Sequence, residues 1–121
     1  METAQALDSF AALSHEGRLA VLRLLIAAEP EGMAAGDIAA RLKVLPNTLS
    51  NNLGVLSQAR LVRSRRQGRQ VVYFARIDTV QDIVRFLMRD CCGGAAAICG
   101  PVAADLIACT QHDNPKECRD G

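Results

Sequence analysis

Apolar residues recur through the first 60 positions at intervals of three and four, the spacing of one helix face. Ala4, Leu7, Phe10 and Ala11 set the first such face within residues 3–13. Ser14 reads as the N-cap of a second helix, with Glu16 in its first turn. Behind it, "RLAVLRLLIAA" turns Leu19, Val21, Leu22, Leu25 and Ile26 inward, a face wide enough for a central helix, and "EPEG" at 29–32 stops it. A short helix over 36–43 buries Ile38, Ala39 and Leu42. Pro46 suits the first turn of the next, which runs to about Ala59 with Leu49, Leu53 and Leu56 on its inner side. Asn47, Thr48, Ser50, Asn51, Asn52 and Ser57 are assigned to its outer side. Two helices joined by a short turn, the second amphipathic and rich in short polar side chains, form the helix-turn-helix pattern.

After Leu61 the period changes. β-Branched and aromatic residues flank "RQGRQ", predicting strands at 62–66 and 70–76 with Gly68 at a turn that needs positive φ. "DTVQDIVRFLMRD" then reads as a helix, with Thr79 and Asp82 at capping-box spacing. Its apolar residues Val80, Ile83, Val84, Leu87 and Met88 exceed one amphipathic face, so the surplus belongs to the core or to a dimer seam. The fold class is mainly α with a small β-hairpin, a winged helix-turn-helix.

Composition agrees with this order. The chain has 121 residues, enough for one modest core, and half are hydrophobic. Three Phe and one Tyr are too few for an aromatic-rich sandwich, so Leu, Val, Ile and Ala must build a helical core. No apolar run is long enough for a bilayer, and "METAQALDSF" lacks the pattern of a secretory leader, so the expected location is cytoplasmic with no membrane partner.

Net charge is only +1, but it is segregated. Residues 41–76 hold eight basic side chains (Arg41, Lys43, Arg60, Arg63, Arg65, Arg66, Arg69 and Arg76) and no Asp or Glu. A solvated surface is the plain reading of an ordinary charge run. A block this one-sided on a near-neutral chain points instead to a polyanion partner.

"LSHEGRLAVLRLL" (13–25), "GDIAARLKVLPNTLSNNLGVLSQARLV" (36–62) and "RRQGRQVVYFARI" (65–77) together resemble the ArsR/SmtB family of metalloregulatory repressors. The resemblance covers about residues 5–92, and the segments are specific only in combination. It implies a homodimer through the first and last helices, bound to double-stranded operator DNA and released when a metal binds. Residues 1–92 would form the DNA-binding and dimerisation domain, and 93–121 a cysteine-containing tail. Asn47, Thr48, Ser50 and Asn51 are then the candidates for base edges, since Asn can bond adenine and the Thr methyl can meet a thymine methyl. Arg63, Arg65, Arg66 and Arg69 would contact phosphates or enter the minor groove. Two departures stand out: Asn52 where the family usually has His, and Gly54 where it often has a charged residue.

The family's best-known arsenic sensors carry Cys-Val-Cys at the start of the helix-turn-helix, where this chain reads "EGMAAGDIAARL" without cysteine. The zinc site on the family's last helix also lacks its histidines here; Asp82 and Asp90 stand without one. Sensing therefore moves to "RDCCGGAAAICG" (89–100), which resembles an arsenic-responsive subset with Cys-Cys ending the last helix and a third Cys beyond.

Five cysteines, Cys91, Cys92, Cys99, Cys109 and Cys118, all lie after residue 90. Adjacent residues point about 100° apart on a helix, but Gly93 and Gly94 provide a helix stop at which Cys91 and Cys92 can be re-aimed. Six residues suffice to fold Cys99 back. Three thiolates suit a soft three-coordinate centre, and trivalent arsenic takes three sulfurs in a pyramid. Arsenite is the expected inducer, with antimonite and organoarsenicals as further candidates and no organic cofactor. Zinc would need a fourth ligand, from Cys109, His112 or Cys118. The plain readings are a small apolar residue for Cys109, no role for Cys118, and solvated rings for His112 and His15. Thiol oxidation, cadmium or lead are alternative inputs to the same fold. A thiol enzyme is the reading from another class; with no Cys-His pair or phosphate loop beside the cysteines, no enzyme is expected.

Overall fold

The computed structural model describes the backbone of residues 1–92 and the side chains of residues 1–88. Helices α1 (Thr3–Leu13) and α2 (Glu16–Ala27) lead to a short strand β1 (Met33–Ala34). Helices α3 (Ala35–Leu42) and α4 (Pro46–Gln58) follow, then strands β2 (Val62–Gln67) and β3 (Gln70–Ala75), and helix α5 (Ile77–Cys92). One compact unit spans Met1–Ile83, and a second begins at Val84 within α5. No helix among the described residues is long and apolar enough to cross a membrane.

The corner between α1 and α2 is closed by reciprocal caps. His15, not Ser14, is the N-cap of α2: its Nδ1 accepts from the Gly17 N–H at 3.1 Å and the Arg18 N–H at 3.3 Å. His15 is exposed as expected, but its ring is engaged in this cap. Arg18 in turn donates its Nε–H to the Ala12 carbonyl at 2.5 Å, satisfying an acceptor in the last turn of α1. Ser9 is fully buried on α1, and its hydroxyl has no hydrogen-bond partner among the described residues.

Val21, Leu22 and Leu25 of α2 form the middle of the core with Ile38, Leu49, Leu53, Leu56, Leu61 and Ile83. Two expected faces are corrected. On α1 the buried positions are Ala6, Ser9 and Ala12, while Leu7 stays 61% exposed and Ala4 and Ala11 also face outward. Small side chains let α1 pack closely, with Phe10 and Leu13 against the edge of the core and Leu7 left open. On α2, Leu19 and Ile26 are exposed. They lie seven apart on one line of the helix, about 100° from Leu25 at its nearest, on the flank of the buried face.

β1 is too short for a periodic signal and is absent from the sequence reading. It extends the hairpin to a three-stranded antiparallel sheet of order β1-β3-β2, with Met33 opposite Tyr73 and Ala34 opposite Val72. Gly32 makes this possible: its φ is +72°, and a Cβ there would lie 2.6 Å from the Phe74 ring and 2.7 Å from the Tyr73 carbonyl oxygen. Gly68, at φ +64°, opens the two-residue hairpin turn, as its sequence context predicts. α5 starts at Ile77, so Thr79 lies inside the helix rather than at its cap, and Asp78 in the first turn accepts from Arg76 at 3.3 Å.

Candidate nucleic-acid interface

α4 buries Leu49, Asn52, Leu53 and Leu56 and exposes Asn47, Thr48, Ser50, Asn51, Gly54, Val55, Ser57 and Gln58. The four expected base-edge residues are therefore all on the open side. Asn52 is not: it is only 6% exposed. It stands three residues after Leu49 and four before Leu56, so helix periodicity turns it inward despite its polar side chain. Its amide nitrogen lies 3.0 Å from where a Cβ on Gly17 would stand, so the absence of a side chain at Gly17 makes room for it.

The helix is framed by cations. Lys43 ends α3 in the left-handed conformation at φ 56°, and the next N–H, of Val44, bonds the Ala39 carbonyl at 3.1 Å. Arg60 does the same past α4, at φ 61°, with the Leu61 N–H on the Leu56 carbonyl at 2.9 Å. These are helix stops of the type glycine usually fills, here occupied by exposed basic residues. α4 itself holds no charged side chain.

On the wing, the strand register separates the four expected arginines. Arg63 and Arg65 pair with Phe74 and Val72, whereas Arg66 pairs with Val71 on the opposite face. The Arg63 guanidinium lies 4.4 Å and that of Arg65 5.5 Å from the centre of the buried Phe74 ring, within cation–π range. Arg69 is in the turn. All four are exposed, and among the described residues none has a carboxylate partner. Asp78, beyond the wing, is held below the usual carboxylate range, chiefly by its hydrogen bond from Arg76.

A helix-turn-helix domain family matches residues 13–65. The "ArsR-like Transcriptional Regulator" from Rhodococcus sp. RHA1 has the same fold, with a TM-score of 0.66 and 30% identity over 87% of this chain and 93% of its own. The chain belongs to the ArsR/SmtB family of transcriptional regulators. Within this family, it is 35% identical over 81 residues to the "Transcriptional repressor SmtB homolog" of Synechocystis sp., covering 67% of this chain and 59% of that one. It thus spans less than two thirds of that relative's length. The "Transcriptional repressor SdpR" of Bacillus subtilis is 29% identical over 79 residues, covering 65% of this chain and 84% of SdpR.

In this ArsR/SmtB chain, Cys91 and Cys92 lie in α5 and are the last residues whose backbone is described. Cys99, Cys109, His112 and Cys118 lie outside the described residues. Leu45 and Val55, which were not among the sequence candidates, and Gly54, noted there as a departure from the family pattern, are all exposed on or beside α4. Leu45 and Val55 read from sequence as ordinary apolar residues, and only their exposure singles them out.

Proposed function

We propose that this protein is a homodimeric repressor of an arsenic-resistance operon. Its α4 helix and wing hold double-stranded operator DNA, and trivalent arsenic on Cys91, Cys92 and Cys99 releases it. The observation that carries the DNA half is the open polar side of α4, bracketed by Lys43 and Arg60 and followed by four wing arginines without carboxylate partners among the described residues. Asn47, Thr48, Ser50 and Asn51 face bases; Arg63, Arg65, Arg66 and Arg69 hold the backbone. Two apolar residues left open, Leu7 on α1 and Leu87 on α5 at 61% and 57% exposure, support association through the first and last helices.

The arsenic half rests on the donor set. Cys91 and Cys92 lie in α5 and a third cysteine follows seven residues later in sequence, which gives three soft ligands and no histidine among them. Arsenic supplies a soft, three-coordinate centre, and the protein supplies the thiolates and a connection to the α5 helix. By linkage, operator DNA weakens arsenic binding by the same factor by which arsenic weakens DNA binding; about 2–3 kcal/mol of coupling is enough for a switch.

The test is fluorescence anisotropy of reduced protein on a fragment from its own upstream region, titrated with arsenite, antimonite, cadmium, lead, zinc or peroxide. Arsenite should release the wild type near one equivalent per chain, while Cys91→Ser, Cys92→Ser and Cys99→Ser stay bound. Release by cadmium, lead, zinc or peroxide with no effect of arsenite would retain the regulator and replace its input.

A further inference from the structure

Two residues on or beside α4 are not explained by the fold alone. The first is Gly54. A Cβ built there meets nothing within 4 Å, and its φ is not positive, so neither packing nor backbone conformation requires glycine. A mid-helix glycine costs about 1 kcal/mol relative to alanine. Gly54 lies seven residues after Asn47, four after Ser50 and three after Asn51, in the middle of the open polar stripe. Nothing among the described residues calls for a bare backbone at that spot.

The second is Leu45. It occupies the N-cap of α4, where Ser, Thr, Asn or Asp would satisfy the first amides, and it provides no side-chain hydrogen bond. It is 73% exposed. Leu45 is at the N-terminal end of α4, and Thr48 and Val55, seven residues apart, place exposed methyl groups along one flank of the stripe. Between Lys43 and Arg60 there is no charged residue. Arg and Lys are the side chains that read the guanine N7/O6 edge, whereas apolar groups read the thymine C5-methyl and Asn reads adenine.

We infer that α4 recognises an A·T core in each operator half-site, and that Leu45 and Gly54 set this specificity. Leu45 and Thr48 pack against thymine C5-methyls. Asn47 and Asn51 bond adenine edges. Gly54 lets the duplex approach the helix backbone more closely than any side chain would allow, which brings these short side chains within reach. Guanine is disfavoured because nothing on α4 is long and cationic enough to hold it. The inference rests on the operator-binding reading above.

The experiment begins with selection from a random duplex library by the reduced full-length protein. The best duplex is then remade with uracil for thymine in the half-site cores, which removes only the C5-methyls. Wild type, Leu45→Ser, Gly54→Ala and Gly54→Arg are compared by anisotropy, with thermal melts as a folding control. The selected cores should be A·T. Uracil should weaken wild-type binding about fourfold per methyl lost. Leu45→Ser should bind the thymine duplex less tightly and lose part of the thymine–uracil difference. Gly54→Ala should melt higher yet bind more weakly, and Gly54→Arg should bind worse still or select guanine. G·C cores, an unchanged thymine–uracil ratio in Leu45→Ser, or full affinity in Gly54→Ala would overturn the inference while leaving operator binding intact. Enrichment of no duplex at all would overturn both.

Discussion

The α4 helix and the β2–β3 wing are neighbours in sequence and opposites in chemistry. α4 has 13 residues and no charge; the wing has four arginines in the eight residues from 62 to 69. The helix presents groups with direction and shape, which discriminate among base edges at short range. The wing presents delocalised cations, which attract any phosphate backbone and act through counterion release. On the proposed operator-binding reading, the contrast assigns affinity and specificity to different elements. Even within the wing there is a division: Arg63 and Arg65 lie over Phe74 and tie charge to the core, while Arg66 and Arg69 do not.

The contrast breaks most completely at Gly32. Gly32→Ala forces a Cβ into the Phe74 ring and the Tyr73 carbonyl at a left-handed position, so the base of the wing must move. Chemical denaturation should show a loss of about 3 kcal/mol or more. A smaller effect separates charge from fit: Arg66→Ala with Arg69→Ala should lower the slope of log affinity against log salt by up to about two, without changing the melting temperature or the selected sequence. An altered consensus would show that the wing reads sequence after all.

Arg60→Gly probes the frame of α4 from the other direction. It relieves a left-handed non-glycine residue, so unfolding should cost about 0.5–1 kcal/mol more, while DNA binding weakens through the lost cation. The smallest effect belongs to Asp78, outside both elements. Its folded carboxyl titrates below its usual range because of Arg76, so its contribution is present at neutral pH and lost as pH falls through the carboxylate range. The pair is exposed, and Asp78→Asn should leave the neutral melting temperature nearly unchanged and flatten only the acid limb of the stability profile.

Much of this was legible before any coordinates. Leu49, Leu53 and Leu56 bury themselves where a period of 3.6 puts them, and Gly68 takes the positive φ that its hairpin context requires. Where periodicity and polarity disagree, periodicity is the better guide: polarity alone places Asn52 outward, yet its spacing from Leu49 and Leu56 turns it inward. Leu7 failed in the opposite sense, since an apolar stripe at helical spacing does not say whether this chain or another covers it. β1 was invisible because two residues carry no period. The His15 cap was hidden because an imidazole nitrogen accepting two backbone amides is uncommon beside the Ser that precedes it. For the site, the exposed side of α4, the wing cations and the unusual Gly54 are readable, while Leu45 and the open space around Gly54 become informative only with their surroundings known.

The position of β2 has a consequence unrelated to DNA. In the order β1-β3-β2 it is an edge strand, and among the described residues no strand pairs with one rim of its backbone N–H and C=O groups. Such an edge is a template for another chain to add itself. Arg63, Arg65 and Arg66 occupy three of its six positions, so a second copy would have to bring like charges together to zip onto it. The residues proposed to hold DNA thus also guard the sheet against self-association, and a variant stripped of them would face aggregation as well as the loss of that grip.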